Sequence, residues 1–269
     1  ASEVLTERHP SAVVVIGDTN STLGCALAAA KLRIPVIHVE AGLRAHDTLM
    51  AEEINRRVVD AISSVLCAPS EAAERRLLLE NASGLVARTG DIARDVLLRS
   101  TQHAQDVVDG GEWGIDDGEA FAFATLHRAE LTDNPAYLEG VLAGLAELEM
   151  PVLFPIHPRT RVVLEQHGLL NRLPTSIRTQ PPLGYLETVA CVSRARVVVT
   201  DSGGVQREAY WLGTPCVTVR SETEWQETVQ VGANVLLPPA QARAELANLV
   251  RLSLLEVGQG RSWDRSAYG

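Results

Sequence analysis

Charged, imidazole and hydroxyl side chains recur at one kind of place in this chain, directly after short apolar runs. Asp18 follows the run 13–16, His38 and Glu40 end the run 34–39, His127 and Arg128 close 120–126, His157 follows 152–156, and Ser202 follows 195–199. Open α/β sheets bind their ligands at the carboxyl ends of their strands, so the shared position weighs more than any one residue. The segment Thr200-Asp201-Ser202-Gly203-Gly204-Val205-Gln206-Arg207-Glu208-Ala209 is the richest of them. A strand that turns through Ser-Gly-Gly into a helix aims bare backbone N–H groups and the positive helix end at one spot, and glycine lets a phosphate come close. A nucleotide diphosphate suits such a spot, and Glu208, about one turn into the helix, is placed to accept from a ribose. The same residues also fit an ordinary connection in which Ser202 caps the helix and the glycines turn the chain. Asp18 equally fits a helix cap behind Gly17, and His157, between two prolines, equally fits a loop histidine with its own partners.

A second group pairs acids with arginines: Glu40-Ala41-Gly42-Leu43-Arg44 and Glu52-Glu53-Ile54-Asn55-Arg56, on either side of a short loop. As surface ion pairs they would contribute a few tenths of a kcal/mol. As a pair of carboxylates held over a substrate they would let a proton leave one face of a carbon and return to the other. Spacing alone leaves both open. The chain has no GxSxG, no HExxH, no GxGxxG after a strand and no P-loop, so serine hydrolase, zincin, dinucleotide oxidoreductase and kinase chemistry each lack their core element.

The elements that must carry these groups alternate. Strands are expected at 13–16, 34–39, 65–68 and 85–88, with helices at 22–32, 70–80 and 91–99; β-branched runs flanking an Ala/Leu-rich helix make a βαβ unit with strands buried on both faces. Residues 100–119, rich in Gly, Asp, Gln and Glu, read as a linker. A second series follows, with strands at 120–126, 152–156, 177–179, before Ser202 and at 217–220, and helices at 135–148, 160–167, 185–193 and 240–257. The expected organisation is a partial first domain, residues 1–110, and a fuller second domain, residues 111–269. At 269 residues with 46% hydrophobic content, two modest domains are affordable.

A net charge of −10 argues against general affinity for nucleic acid or anionic membrane, so any anion must be held by a local site. Cys25, Cys67, Cys191 and Cys216 show no CxxC spacing and read as reduced core thiols. No apolar run reaches the ~18 residues of a membrane span, and a cytoplasmic location follows by default. Lys31 is the only lysine, so 23 of the 24 basic residues are arginine, a bias that fits a GC-rich bacterial genome.

Taken in order, these segments resemble the non-hydrolysing UDP-N-acetylglucosamine 2-epimerases. The resemblance rests on Gly17-Asp18-Thr19-Asn20-Ser21-Thr22, His38 through Arg44, Glu52 through Arg56, Gly90-Asp91, Thr125-Leu126-His127-Arg128-Ala129-Glu130, Thr200 through Ala209, Leu212-Gly213-Thr214-Pro215 and Arg220 through Glu227. It implies an α/β protein with two Rossmann-like domains of GT-B type, the first incomplete at its N-terminus, and the sugar nucleotide in the cleft between them. It implies a reaction without metal or NAD, hence no cofactor: UDP is eliminated to leave a 2-acetamidoglucal, then added back with the proton delivered to the opposite face of C2. By motif, Asp18, Glu40 and Glu52 become the acid/base carboxylates and His127 a group near the diphosphate. Ser202, Gly203, Gly204 and Glu208 become the UDP clamp, with Arg128, His157 and Arg220 also binding substrate. The product would feed cell-surface polysaccharide synthesis.

Three departures accompany the match. The family's first strand and its Gly-Thr-Arg-Pro-Glu loop have no counterpart here, nor does its closing C-terminal helix; Ala51 stands where a proline usually precedes the Glu-Glu pair; Arg207 replaces a glutamate of some members. From these the expectation is weak or absent epimerisation and an exposed sheet edge that seeks a partner, in a homodimer. The rival readings are an inactive UDP-binding or partner-binding homologue and, third, a GT-B glycosyltransferase.

Overall fold

The computed structural model describes residues 1–104, 113, 115–116 and 118–269. The expected domain boundary at 110/111, and half of the linker expected at 100–119, lie outside the described residues; residues 100–104 of that stretch are the end of a helix instead. The described chain divides into two compact units: 1–95 with 266–269, and 96–265.

In the first unit, α1 (Ser2–Arg8) precedes β1 (Val13–Ile16), α2 (Asn20–Lys31), β2 (Val36–Val39), α3 (Ala51–Ile62), β3 (Val65–Ala68), α4 (Glu71–Leu79), β4 (Leu85–Arg88) and the start of α5 (Ile92–Ala104). The strands pair in parallel in the order β1-β2-β3-β4. Val15, Val36 and Val59 pack with Ala26 and Ala29, the small residues on α2 allowing the helix close to the sheet. The other face of β1 is open: Val14 and Ile16 are 58% and 55% exposed. Residues 266–269 return to this unit, where Asp91 N–H donates to the Tyr268 carbonyl at 2.9 Å. Gly90 has φ +76°, and a Cβ there would lie 3.0 Å from that carbonyl, so only glycine fits the contact.

The second unit contains β5 (Ala122–Thr125), α6 (Ala129–Thr132), α7 (Pro135–Ala146), β6 (Val152–Pro155), α8 (Pro158–Gln166), β7 (Ile177–Gln180), α9 (Tyr185–Arg194), β8 (Val197–Thr200), α10 (Gly203–Leu212), β9 (Cys216–Thr218), α11 (Gln226–Gln230), β10 (Asn234–Leu236) and α12 (Ala242–Gly258). Its all-parallel sheet runs β10-β9-β8-β5-β6-β7. Counted from β5 and read from the β7 edge, that is the doubly wound order 3-2-1-4-5-6. The order reverses between β5 and β8, and at such a switch point the following loops part to opposite faces and leave a crevice. Val152, Phe154, Val197, Val199 and Val217 are fully buried in the sheet, with Leu138, Val141, Leu145 and Leu246 packed from α7 and α12.

Most strands fall where β-branched runs place them. The helix α3 is not among the expected elements, nor are the short α1, α6, α11 and β10. Among the described residues no helix is long and apolar enough to cross a membrane.

Candidate functional site

Asp18, Glu40 and Glu52 belong to the first unit. Asp18 follows Gly17, whose φ of +68° turns the chain sharply at the end of β1. Thr19, not Asp18, caps α2, its hydroxyl accepting from Thr22 N–H at 3.2 Å. The Asp18 carboxylate is instead gripped by Arg56, with Nε at 2.8 Å and Nη2 at 2.6 Å, while Asn55 donates to the Asp18 carbonyl at 2.7 Å. Glu40 has φ +69°, an unusual conformation for a non-glycine residue, and its Oε2 lies 3.8 Å from where a Gly17 Cβ would stand. Glu52 is one turn ahead of Arg56 on α3, the spacing that places two side chains on one helix face. It makes no hydrogen bond or ion pair among the described residues.

Two buried acids on α3 hold these loops. Glu53, 0% exposed, accepts from Ala45 N–H at 2.8 Å, from Arg57 Nε at 2.8 Å and from Arg56 Nη1 at 3.3 Å. Asp60 lies 2.6 Å from His38 Nδ1 and accepts from Gly42 N–H at 3.1 Å and Arg44 Nη1 at 2.7 Å. The other His38 nitrogen, Nε2, is 2.9 Å from the Gly17 carbonyl, which can only accept, so Nε2 carries a proton. Asp60 thus ties the Gly17–Asp18 turn, through His38, to the loop that begins at Glu40. The Glu/Arg segment therefore does form helical ion pairs, but they are interior ones: Glu53 and Arg56 are buried.

The remaining expected residues belong to the second unit, at its switch point. Thr125 and Thr200 pair across β5 and β8, and their hydroxyls meet at 2.7 Å. Beyond them Asp201, 0% exposed, accepts the backbone N–H groups of His127 at 2.8 Å and Arg128 at 2.7 Å, fixing the loop after β5. Burial raises the Asp201 carboxyl from its ordinary value, with those amides pulling it back. His127 Nδ1 stands 3.5 Å from Asp201 Oδ1. Burial nevertheless lowers His127 below its ordinary value and outweighs the pull of Asp201, with the nearby His157, Arg128 and Arg159 adding to the lowering. A neutral imidazole is thereby favoured.

The His157 ring lies 5.2 Å from that of His127, tilted by 32°. His157 also caps α8, its Nδ1 accepting from Arg159 N–H at 3.2 Å, so it has the local partner expected of a loop histidine. Both histidines line a pocket of about 170 Å³ with Thr125, Thr188, Leu183 and Val205. Ser202 caps α10, its hydroxyl accepting from Val205 N–H at 3.4 Å, and is held in turn by Ser202 N–H donating to Thr200 Oγ1 at 3.0 Å. A Cβ on Gly203 would lie 3.2 Å from Trp225 Nε1, 3.3 Å from Glu224 Oε1 and 3.6 Å from Arg128 Nη2, which marks the point where three segments converge. At Gly204 the nearest atom to a Cβ would be Ser202 Oγ at 3.8 Å, so the chain is uncrowded on that side. Glu208 shares a hydrogen bond with Tyr185 on α9, and burial raises its carboxyl from the ordinary value. Arg220 is buried with Nη1 3.0 Å from Glu224 Oε2.

Sequence reasoning missed His38, Glu53, Arg56, Asp60 and Asp201 as organising groups. The signal for Asp60 was present: a lone acid after Val58-Val59, one turn past an arginine, on an otherwise half-apolar helix.

The family profile for UDP-N-acetylglucosamine 2-epimerase matches residues 1–259. The chain is 42% identical over 258 residues to the UDP-2,3-diacetamido-2,3-dideoxy-D-glucuronate 2-epimerase of Pseudomonas aeruginosa, covering 94% of this chain and 70% of that protein. It is 39% identical to the UDP-N-acetylglucosamine 2-epimerase of Methanocaldococcus jannaschii over 97% of this chain and 72% of that one. A crystal structure of the M. jannaschii enzyme in complex with UDP-GlcNAc and UDP superposes with a TM-score of 0.87 at 38% identity, over 100% of this chain and 74% of that chain. The Neisseria meningitidis enzyme bound to UDP-GlcNAc gives 0.83 at 28% identity, covering 100% and 75%. The two parallel-sheet units are thus of the GT-B type seen in those enzymes. By sequence and by fold, the chain belongs to the UDP-N-acetylglucosamine 2-epimerase family.

Proposed function

We propose that this sugar-nucleotide 2-epimerase inverts C2 of a UDP-acetamido sugar, with Asp18, Glu40 and Glu52 as its proton-handling carboxylates and the switch point of the second unit as its nucleotide site. One observation carries the reading: Asp18 and Glu40 stand at one sharp turn, beside the face of α3 that bears Glu52, and two buried acids brace the loops that hold them. Surface ion pairs need no such bracing.

In the forward direction a base removes the C2 proton, the C–H electrons form the C1–C2 double bond, and the C1–O pair departs with UDP. Return of UDP oxygen to C1, with a proton delivered to the opposite face of C2, completes the inversion. A sugar C2–H is barely acidic, so positive charge must build at C1 first, and carboxylates stabilise it. His127, Arg128 and the N-terminus of α10 receive the diphosphate, with Ser202, Gly203 and Gly204 giving it close approach. Glu208 accepts from the ribose, and His157 and Arg220 complete the binding set. A homodimer belongs to the same proposal, supported by exposed apolar residues of the first unit such as Leu78 and Leu79, and sedimentation velocity reads it directly.

Within the class, the Pseudomonas relative points to a diacetamido-uronate sugar and the Methanocaldococcus relative to UDP-N-acetylglucosamine. A proton NMR time course in D2O with each nucleotide sugar decides: deuterium at C2 and growth of the C2 epimer identify the substrate. UDP release with transfer to an acceptor and no deuterium at C2 would mean a glycosyltransferase instead.

A further inference from the structure

Trp225 has no place in the chemistry above, yet it packs against the glycine that opens the proposed nucleotide site. The indole is 2% exposed. Its Nε1 edge packs against Gly203, where a Cβ would lie only 3.2 Å away, and the Arg207 guanidinium carbon stacks 3.8 Å over the ring centroid. Arg207 closes the triangle, its Nε donating to the Gly203 carbonyl at 3.3 Å. The ring therefore sits in contact with both the backbone that starts α10 and a cation on the second turn of that helix.

The backbone of Trp225 is fixed from the interior. Its N–H donates to Thr223 Oγ1 at 3.2 Å, and Thr223 Oγ1 donates onward to Gln206 Oε1 at 2.9 Å. The Trp225 carbonyl accepts from Thr228 Oγ1 at 2.8 Å, and Thr228 in turn accepts from Asn234 Nδ2 at 3.3 Å. Asn234 Nδ2 also donates to Gln206 Oε1 at 3.0 Å, and Thr218 donates to Asn234 Oδ1 at 2.8 Å. Gln206, Thr218, Thr223, Thr228 and Asn234 are all at most 1% exposed, so each bond is made away from water and a broken one costs its full desolvation. Gln206 and Arg207, adjacent on α10, grip the 223–225 segment from inside and outside respectively.

A site that binds an anion through backbone N–H groups works only if those groups are already aimed, since ordering them on binding subtracts from affinity. From this we infer that Trp225 and Arg207 are positioning residues for diphosphate recognition: the stacked pair holds Gly203 in its binding geometry and keeps a guanidinium charge beside the α10 N-terminus. A planar guanidinium on an indole face is a contact that lysine reproduces poorly. The inference rests on the proposed nucleotide site, and it separates from the proton chemistry, because neither residue is in the unit that carries the carboxylates.

The test combines UDP calorimetry, steady-state turnover and melting temperature on Trp225→Leu, Trp225→Phe, Arg207→Met and Arg207→Lys. Trp225→Leu and Arg207→Met are expected to weaken UDP binding and raise KM by about tenfold, the scale of a desolvated cation–π contact, with kcat and solvent deuterium incorporation nearly unchanged. Trp225→Phe, which keeps a stacking face, restores most of the affinity, and Arg207→Lys falls between. If Trp225→Leu does not fold, Arg207→Met carries the same expectation. Parent-like UDP affinity in folded Trp225→Leu or Arg207→Met overturns the inference alone, as does a loss confined to kcat. Absence of UDP binding by the parent protein overturns the nucleotide site and the inference with it.

Discussion

His38 and Asp60 share a 2.6 Å hydrogen bond in the interior of the first unit, beneath the turn that presents Asp18. Asp60 reaches Gly42 and Arg44 as well, so one buried carboxylate sets the positions of two loops that carry proposed proton-handling groups. Asp60→Ala removes the buried carboxylate that His38 and Arg44 share and leaves Arg44 its outer partner Glu80; breaking a buried pair from one side costs about 3–5 kcal/mol in comparable settings. Displacing reacting groups by about 1 Å costs roughly 10²-fold in rate. Asp60→Ala is therefore expected to lower both denaturant midpoint and kcat, and Asp60→Asn, which keeps acceptor and shape, to lose turnover with a smaller loss of stability. Parent turnover in a folded Asp60→Asn protein would reduce Asp60 to scaffold.

The three carboxylates divide by their partners. Asp18→Asn, Glu40→Gln and Glu52→Gln should each reduce turnover by ~10²-fold or more, the usual scale for a placed acid or base, with UDP affinity little changed. Stability should separate them. Asp18→Asn strips the buried Arg56 of a charge partner and lowers the melting temperature, whereas Glu52, bonded to nothing among the described residues, is replaced without loss. Full activity in any one variant would remove that residue from the chemistry.

At the nucleotide site, Ser202→Ala with Glu208→Ala is expected to weaken UDP binding at least tenfold, or about 1.4 kcal/mol. Part of the serine effect is the helix cap, since its hydroxyl also holds Val205 N–H. Ser202→Gly, which costs a cap only a few tenths of a kcal/mol, separates the two contributions. Calorimetry showing parent affinity in the double variant would place the nucleotide elsewhere.

The strands were legible because runs such as 65–68 and 85–88 are β-branched or apolar and flanked by polar turns, and the residues at their carboxyl ends follow from the parallel order. Glu40, His127 and Ser202 were picked out that way, and each does follow a strand. The helix α3 was not, because Glu53 and Arg56 read as surface ion pairs when they, with Asp60, are the interior of a salt-bridged network; pairing, which makes their burial possible, is a property of three-dimensional contact. Asp18 fits a cap or a catalytic acid in sequence, and nothing local marks Arg56, 38 residues away, as the group that holds it. Trp225 falls within the matching segment 220–227, but its role was not legible, since it comes from Gly203 and Arg207 closing on the ring.

Glu208 links the nucleotide site to pH. Burial raises its carboxyl above the ordinary 4.5, against the opposing pull of the Tyr185 hydrogen bond and Arg207. The folded state then holds this proton more tightly than the unfolded chain, so its stabilising contribution is complete below pH 4.5 and is lost as pH rises through the folded value. At neutral pH the ionised, partly desolvated carboxylate is a cost to the unliganded fold. Glu208→Gln removes that cost and should raise the melting temperature at neutrality while flattening its dependence on pH in the window above 4.5. Binding should move oppositely. Protonation takes an acceptor from the ribose contact, so parent UDP affinity falls as pH descends through the same window, and Glu208→Gln starts weaker and lacks this limb. Thermal melts and calorimetry across that range check both halves. A variant that is less stable at neutral pH, or one that keeps the parent's pH-dependent affinity, would show that the carboxylate serves the fold and not the nucleotide.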